Sequence, residues 1–231
     1  EELLTRGDPE KVGREFGQFA ADYGINFLQG HLNLQANILN RAHVEALKVW
    51  LDLFHAIGVK NCVLHYGRGK DLSIPPERLL EARARSIAEL TDHISGTDMC
   101  ICLENMRVEY DSNCDTLLDI IDAVGSDNLG ICLDTGHLNL AGGNPAQFIV
   151  QAGPLLKALH IADNEGTYDQ HMMPFGKGNV PWDQFMRALK QSGYDQLFNF
   201  EIPGESSAPL EIRKAKLRYI KEMAKIMFEI Y

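Results

Sequence analysis

The sequence predicts an α/β fold, a parallel sheet closed as a (β/α)8 barrel. Helix-period segments alternate with short apolar runs along the whole chain, the pattern of a parallel sheet with helices packed outside. Each apolar run ends on a polar or metal-competent residue, at His31, His65, Glu104, Asp134, His160 and Glu201. An open doubly wound sheet gathers its ligands at one switch point, whereas functional residues at the C-terminal end of every strand are produced by a closed barrel.

The elements follow in order. Asp8-Pro9-Glu10 supplies an N-cap, a proline at the first helical position and an acidic first turn, and Val12, Phe16, Phe19, Ala20 and Tyr23 continue at helical spacing until Gly24. The first strand runs from Ile25 to His31. A helix over Arg41–Ile57 yields at Gly58 to the strand Val59–His65, and a helix opened by Pro75-Pro76-Glu77 runs to Ile94 before the strand Met99–Glu104. Then come a helix over Cys114–Val124, a strand over Leu129–Asp134, a helix over Pro145–Ala152 and a strand over Leu156–Ile161. After a long loop the helix Trp182–Gln191, the strand Leu197–Glu201 and the amphipathic helix Leu210–Ile230 close the chain. Stepping back in twos from the strand ends gives an inward set that is small or mildly polar: Asn61, Val63, Cys100, Cys102, Gly130, Cys132, Ala158 and Asn199. Six strands against the eight of a standard barrel predict that the first two are absent, about 35–40 residues at ordinary unit lengths. A chain that opens on Glu1 without Met fits that expectation.

Length and composition bound the class. The 231 residues carry 22 Lys+Arg against 32 Asp+Glu, a formal net charge of −10. They form one expected domain over residues 1–231, since no linker or low-complexity segment interrupts them. The acidic balance disfavours a nucleic-acid surface, which needs Lys and Arg for phosphates. No run approaches the ~20 apolar residues of a membrane span, and Glu1-Glu2-Leu3 is no signal segment. Five cysteines (Cys62, Cys100, Cys102, Cys114, Cys132) without framework spacing suit reduced thiols in the cytoplasm. Cys100 and Cys102 read as small core residues, because zinc pairs usually need the C-x₂₋₄-C turn.

At the barrel mouth Glu104, Asp134, His160 and Glu201 would place three carboxylates around one imidazole. Hard oxygen donors with one nitrogen suit a divalent ion such as Mn²⁺, Mg²⁺, Co²⁺ or Zn²⁺. Around them stand His137, Asp169, His171, His31 and His65, making nine candidate ligands. His43, His55 and His93 lie on helices and read as surface or packing residues. Glu205 is a further carboxylate assigned to the neighbourhood of the cation.

The runs Cys102-Leu103-Glu104-Asn105, Leu133-Asp134-Thr135-Gly136-His137, His160-Ile161-Ala162-Asp163-Asn164 and Asp169-Gln170-His171, followed by Gly176-Lys177-Gly178-Asn179-Val180-Pro181-Trp182, resemble the xylose-isomerase-like TIM-barrel superfamily over nearly the whole chain. That superfamily contains sugar and sugar-phosphate isomerases and epimerases, inosose dehydratases and type IV apurinic endonucleases. The resemblance to its ketose 3-epimerases implies that Glu104, Asp134, His160 and Glu201 bind one divalent metal ion. It also implies that Glu104 and Glu201 are the catalytic acid/base pair for proton transfer at a carbon next to a carbonyl. Such chemistry needs a base on one face, an acid on the other and a cation for the charge that develops on oxygen. The expected substrate is a small-molecule sugar or sugar phosphate, contacted by His31, His65, His137 and Lys177. Lys177 and Ser206-Ser207 could take a phosphate, since a helix N-terminus after late barrel strands is an anion site. Self-association is left open.

The resemblance also implies an alternative. The type IV endonucleases bind three zinc ions with five His, two Glu and two Asp, and His31, His65, Glu104, Asp134, His137, His160, Asp169, His171 and Glu201 match every type in that set. Against a DNA hydrolase stand the net charge of −10 and the few basic residues near the mouth, Arg68, Lys70, Arg107 and Lys177. An inosose-dehydratase-like lyase is a third possibility.

Overall fold

The computed structural model describes residues 7–66, 74–107 and 113–231. Arg68 and Lys70 lie outside the described residues. The elements in chain order are α1 (Pro9–Ala21), β1 (Gln29–His31), α2 (Arg41–Ile57), β2 (Asn61–Leu64), α3 (Pro76–His93), β3 (Cys100–Glu104), α4 (Cys114–Val124), β4 (Leu129–Asp134), α5 (Thr135–Leu140), α6 (Pro145–Ala152), β5 (Leu156–His160), α7 (Trp182–Ser192) and α8 (Leu210–Ile230). Among the described residues no helix is long and apolar enough to cross a membrane.

Local chemistry sets these bounds. Asp8, Asn40, Asn113 and Asn144 each turn a side-chain oxygen onto the first free amides of α1, α2, α4 and α6. Gly58 and Gly125 end α2 and α4 in the left-handed conformation that other residues resist.

The five strands are all parallel and pair in sequence order, β1-β2-β3-β4-β5, the topology of a (β/α)8 TIM barrel. The sheet curls. Gln29 Nε2 on β1 donates to Leu159 O (3.2 Å) and Asn61 Nδ2 on β2 donates to Lys157 O (2.7 Å), both reaching across the concave face to β5. Val63, Cys102, Cys132 and Ala158 are buried together inside the curl with Cys100 against them, as the inward set requires. Leucines and isoleucines of the opposite strand faces pack outward against the helices. All five cysteines are free thiols. Burial pushes the Cys114 thiol up to about 12 and the Cys132 thiol well above its ordinary range, so these two are inert packing groups.

Several expectations need correction. The strand expected over Leu197–Glu201 is reduced to one parallel bridge, Ile161 with Phe200, held by Ile161 N–H to Asn199 O (2.8 Å) and Glu201 N–H to Ile161 O (3.0 Å). It has a strand neighbour on one side only among the described residues. The described sheet therefore has five strands, not six. β1 is likewise confined to Gln29–His31; Ile25 and Leu28, expected inside it, are exposed. α5 was not expected. Its start is hidden in β4, whose last residue Asp134 is also the N-cap.

Candidate metal centre

Strand ends build the site. β3 delivers Glu104, β4 delivers Asp134 and β5 delivers His160, while the bridge at Phe200 brings Glu201 alongside. One ligand atom from each of the four lies within 4.8 Å of the others. His160 Nδ1 stands 3.2 Å from Glu104 Oε1 and 3.1 Å from Glu201 Oε2. A second group, His31, His65 and Glu104, meets the same criterion. Glu104 joins the two, because its other oxygen, Oε2, is 3.0 Å from His31 Nε2 and 3.1 Å from His65 Nε2. The remaining candidates form a third cluster, in which Asp169 Oδ2 is 3.3 Å from both His137 Nε2 and His171 Nε2. All nine sequence-nominated ligands thus converge.

Two observations test whether these residues fit a cation. Asp134 Oδ2, Glu201 Oε2 and Asp169 Oδ1 are buried with no hydrogen bond directed at them; His160 Nδ1 is near Glu201 Oε2 but off line for one. Buried carboxylate oxygens without a donor are costly, and a metal ion is a standard resolution. The histidine tautomers are the second. His31, His137 and His171 each point Nδ1 at a backbone carbonyl, of Leu32 (2.7 Å), Asn105 (3.1 Å) and Glu201 (2.9 Å). A carbonyl only accepts, so Nδ1 carries the proton and Nε2 of each neutral ring faces a carboxylate with its lone pair. Either a second proton or a cation must lie between. A ring N–H fixed on a carbonyl is how metal-ligating histidines are oriented.

The electrostatics of the metal-free site point to the same need. Burial raises the Glu104 carboxyl, yet the imidazoles of His160, His137 and His31 around it hold it well below its ordinary range. Burial, reinforced by the like charges of Glu104 and Glu201, pushes Asp134 up to about 8. For His160 burial works downward, but Glu104 and Glu201 outweigh it and raise the ring to about 10. His137 reaches about 11 against its own burial through Asp134, Asp169 and Glu104. Glu201, raised by burial, is brought down to about 2 by His160. Without metal, protons on His137 and His160, and one on Asp134 itself, offset the charge of the carboxylates.

Several polar residues without an assigned role prove to frame the site. Fully buried Asn105 donates Nδ2–H to Asp134 O (3.0 Å) and accepts Asp134 N–H at Oδ1 (2.7 Å). Thr135 Oγ1 donates to Ala162 O (2.8 Å) and accepts Ala162 N–H (3.0 Å), tying β4 to the loop after β5. Their only sequence signal is adjacency to a ligand. Other residues stand apart. Lys177 is 79% exposed and ion-paired to Glu165 Oε1 at 3.0 Å. Glu205, expected near the cation, is instead paired with Lys216. Ser206 and Ser207 are exposed, and α8 begins without a side-chain cap. Arg107 is exposed, 4.0 Å from Asp169 Oδ2. Of the helical histidines, His43 accepts Asn37 N–H and His93 pairs with Asp52.

Comparison with known proteins places this geometry. Over 189 residues the chain is 31% identical to the uncharacterized protein y4fM of Sinorhizobium fredii, covering 80% of this chain and 59% of that protein. It is 30% identical over 166 residues to the L-ribulose 3-epimerase of Methylomonas sp. strain DH-1, covering 68% of this chain and 54% of the relative. The chain therefore spans less than two thirds of either relative's length. A solved D-tagatose 3-epimerase-like protein shares the fold at 23% identity, with a TM-score of 0.73 over 93% of this chain and 85% of the other. With the family model matched over residues 3–223, the chain belongs to the xylose isomerase-like TIM barrel family.

Proposed function

We propose that residues 1–231 are one domain of a divalent-metal-dependent sugar epimerase or isomerase, acting on a ketose by proton transfer at the carbon beside the carbonyl. The observation that carries this reading is the convergence of Glu104, Asp134, His160 and Glu201 at the strand ends. The similarity to an L-ribulose 3-epimerase supports the substrate class. A divalent ion held by these four side chains supplies electrophilic stabilisation to negative charge developing on the sugar oxygens. Glu104 and Glu201 provide the two carboxyls: one takes the proton from carbon, and the other, when protonated, returns one on the opposite face. Asn105 and the Asp134 amide lock β3 to β4 so that Glu104 keeps its place. His31, His65 and His137 line the mouth as substrate contacts. The free thiols suit a reducing compartment such as the cytoplasm.

The test is exchange in deuterated water. With Mn²⁺ or Co²⁺ and L-ribulose, deuterium should enter at the carbon whose configuration inverts, read by proton NMR. Glu201→Gln should slow that exchange by about 10²–10⁴-fold. Exchange that survives the substitution unchanged removes Glu201 from the mechanism.

A second reading, a trinuclear zinc phosphodiesterase of the apurinic-endonuclease kind, is favoured by the His31–His65–Glu104 group and the carbonyl-fixed tautomers of His31, His137 and His171. Metal content separates the two. About one ion per chain after chelator-free purification supports the epimerase, whereas three tightly held zinc ions with cleavage of an abasic duplex overturn it.

A further inference from the structure

Two of the sequence motifs have no role in the proposed chemistry: Asp163-Asn164 after β5, and Gly178 to Trp182, which leads into α7. In the structure they meet. Asp163 is fully buried. Its Oδ1 accepts the amides of Asn164 (2.9 Å) and Val180 (3.1 Å), and Oδ2 accepts Trp182 Nε1–H (2.9 Å). Gly178 passes so close that a Cβ there would come within 2.0 Å of Asp163 Oδ1. The backbone of Asp163 is engaged too. Its N–H donates to Met172 O (2.8 Å) and its carbonyl accepts Met172 N–H (2.9 Å), an isolated antiparallel bridge.

The segment between residues 164 and 181 is therefore fastened at two points to one residue, and it carries Asp169 and His171. Met172, one of the fastened residues, directly follows His171, whose φ of +47° is a conformation that a side chain other than glycine seldom holds. Such a backbone relaxes unless its surroundings over-determine it. Here the Met172 bridge lies on one side and the His171 Nδ1–H bond to Glu201 O on the other. Asn164 extends the same frame to the third cluster, since its Nδ2 donates to Gly136 O (2.8 Å), next to His137.

We infer that Asp163 is a positioning residue: through Val180, Trp182 and Met172 it fixes where His171 and Asp169 stand against Glu201 and His137. The inference deepens the cation-centre reading but is testable without it, in metal-free protein. The probe is the Nδ1 proton of His171, followed by NMR in ¹⁵N-histidine-labelled chain and assigned by its loss in His171→Asn. The Nδ1 proton of His31, bonded to Leu32 O and away from Asp163, is the internal control. Asp163→Asn turns one acceptor into a donor facing N–H groups, and Gly178→Ala keeps the Asp163 carboxylate but drives a methyl against it, so that it must shift. In both variants the His171 proton is expected to exchange with water at least about tenfold faster while the His31 proton is unchanged. If either variant retains the His31 signal and wild-type exchange at His171, the positioning role is overturned, whatever the outcome of the epimerase assay. Should Asp163→Asn fail to fold, Gly178→Ala decides the question alone.

Discussion

His171 combines a strained backbone with two partners, the Glu201 carbonyl and the Asp169 carboxylate. Its hydrogen bond to Asp169 raises the ring from 6.5 to about 9, while His137 and His171 hold Asp169 below the usual carboxylate range. The linkage sign follows. A group whose pKa is raised on folding stabilises fully below its unfolded value and loses that contribution as pH rises through the folded one. The His171 contribution in metal-free protein is thus complete below about 6.5 and fades through about 9. The depressed Asp169 stabilises above its ordinary 3.8 and loses that contribution on further acidification. His171→Ala should therefore lower Tm most near pH 5–6, by about 2–4 °C for each kcal/mol lost in a chain this size. The gap from wild type should narrow above pH 9. A difference that is flat from pH 5 to 10 would show that the charge on His171 contributes nothing.

At the scale of elements, close approach and capping decide the arrangement. α1 lies against α2 through Gly13 and Gly17; a Cβ on Gly13 would come within 2.6 Å of Ala56 Cβ and 2.8 Å of Leu53 O. Gly13→Ala gains about 1 kcal/mol of helix propensity, but the methyl meets backbone that cannot rotate away, an overpacking cost of about 1–3 kcal/mol. Thermal melting should show a net fall in Tm; a rise would mean that α1 slides freely. α2, α4, α6 and α8 and strand β4 have the expected bounds, which the period of their apolar residues made readable; Asn40, Asn113 and Asn144, not singled out in the sequence, prove to cap three of these helices. α5 escaped notice because a six-residue helix leaves no period to read and its cap doubles as a strand terminus. The run Leu197–Glu201 is apolar enough for a strand, but pairing needs neighbours, and a sequence names none. Six of the nine ligands were legible because strand ends in this architecture face the mouth, whereas His137 on α5 and Asp169 and His171 in the loop after β5 were legible only from the short motifs that carry them. Asn105, Thr135 and Asp163 were not assigned roles, since a polar residue that holds backbone looks in sequence like any loop residue.

For the whole molecule, the site gathers residues from β1 to the bridge after β5, so anything that binds there joins segments separated by more than a hundred residues along the chain. An ion that binds only the folded form at a hundred times its Kd adds about 2.7 kcal/mol of stability. Chelation should therefore lower Tm by about 5–10 °C, and an EDTA-insensitive melt would argue against a resident cation. The donor arrangement goes further, because Asp134 and Glu104 each have an oxygen committed elsewhere. Asp134 spends Oδ1 on the His137 amide (2.7 Å), leaving Oδ2 free. Glu104 divides its two oxygens between different histidine groups. Neither can embrace one ion with both oxygens, as calcium's six to eight oxygen ligands usually demand. A cation held by this centre would be selected by coordination number. Manganese, cobalt or zinc should restore the melting temperature after chelation, and calcium at equal concentration should not.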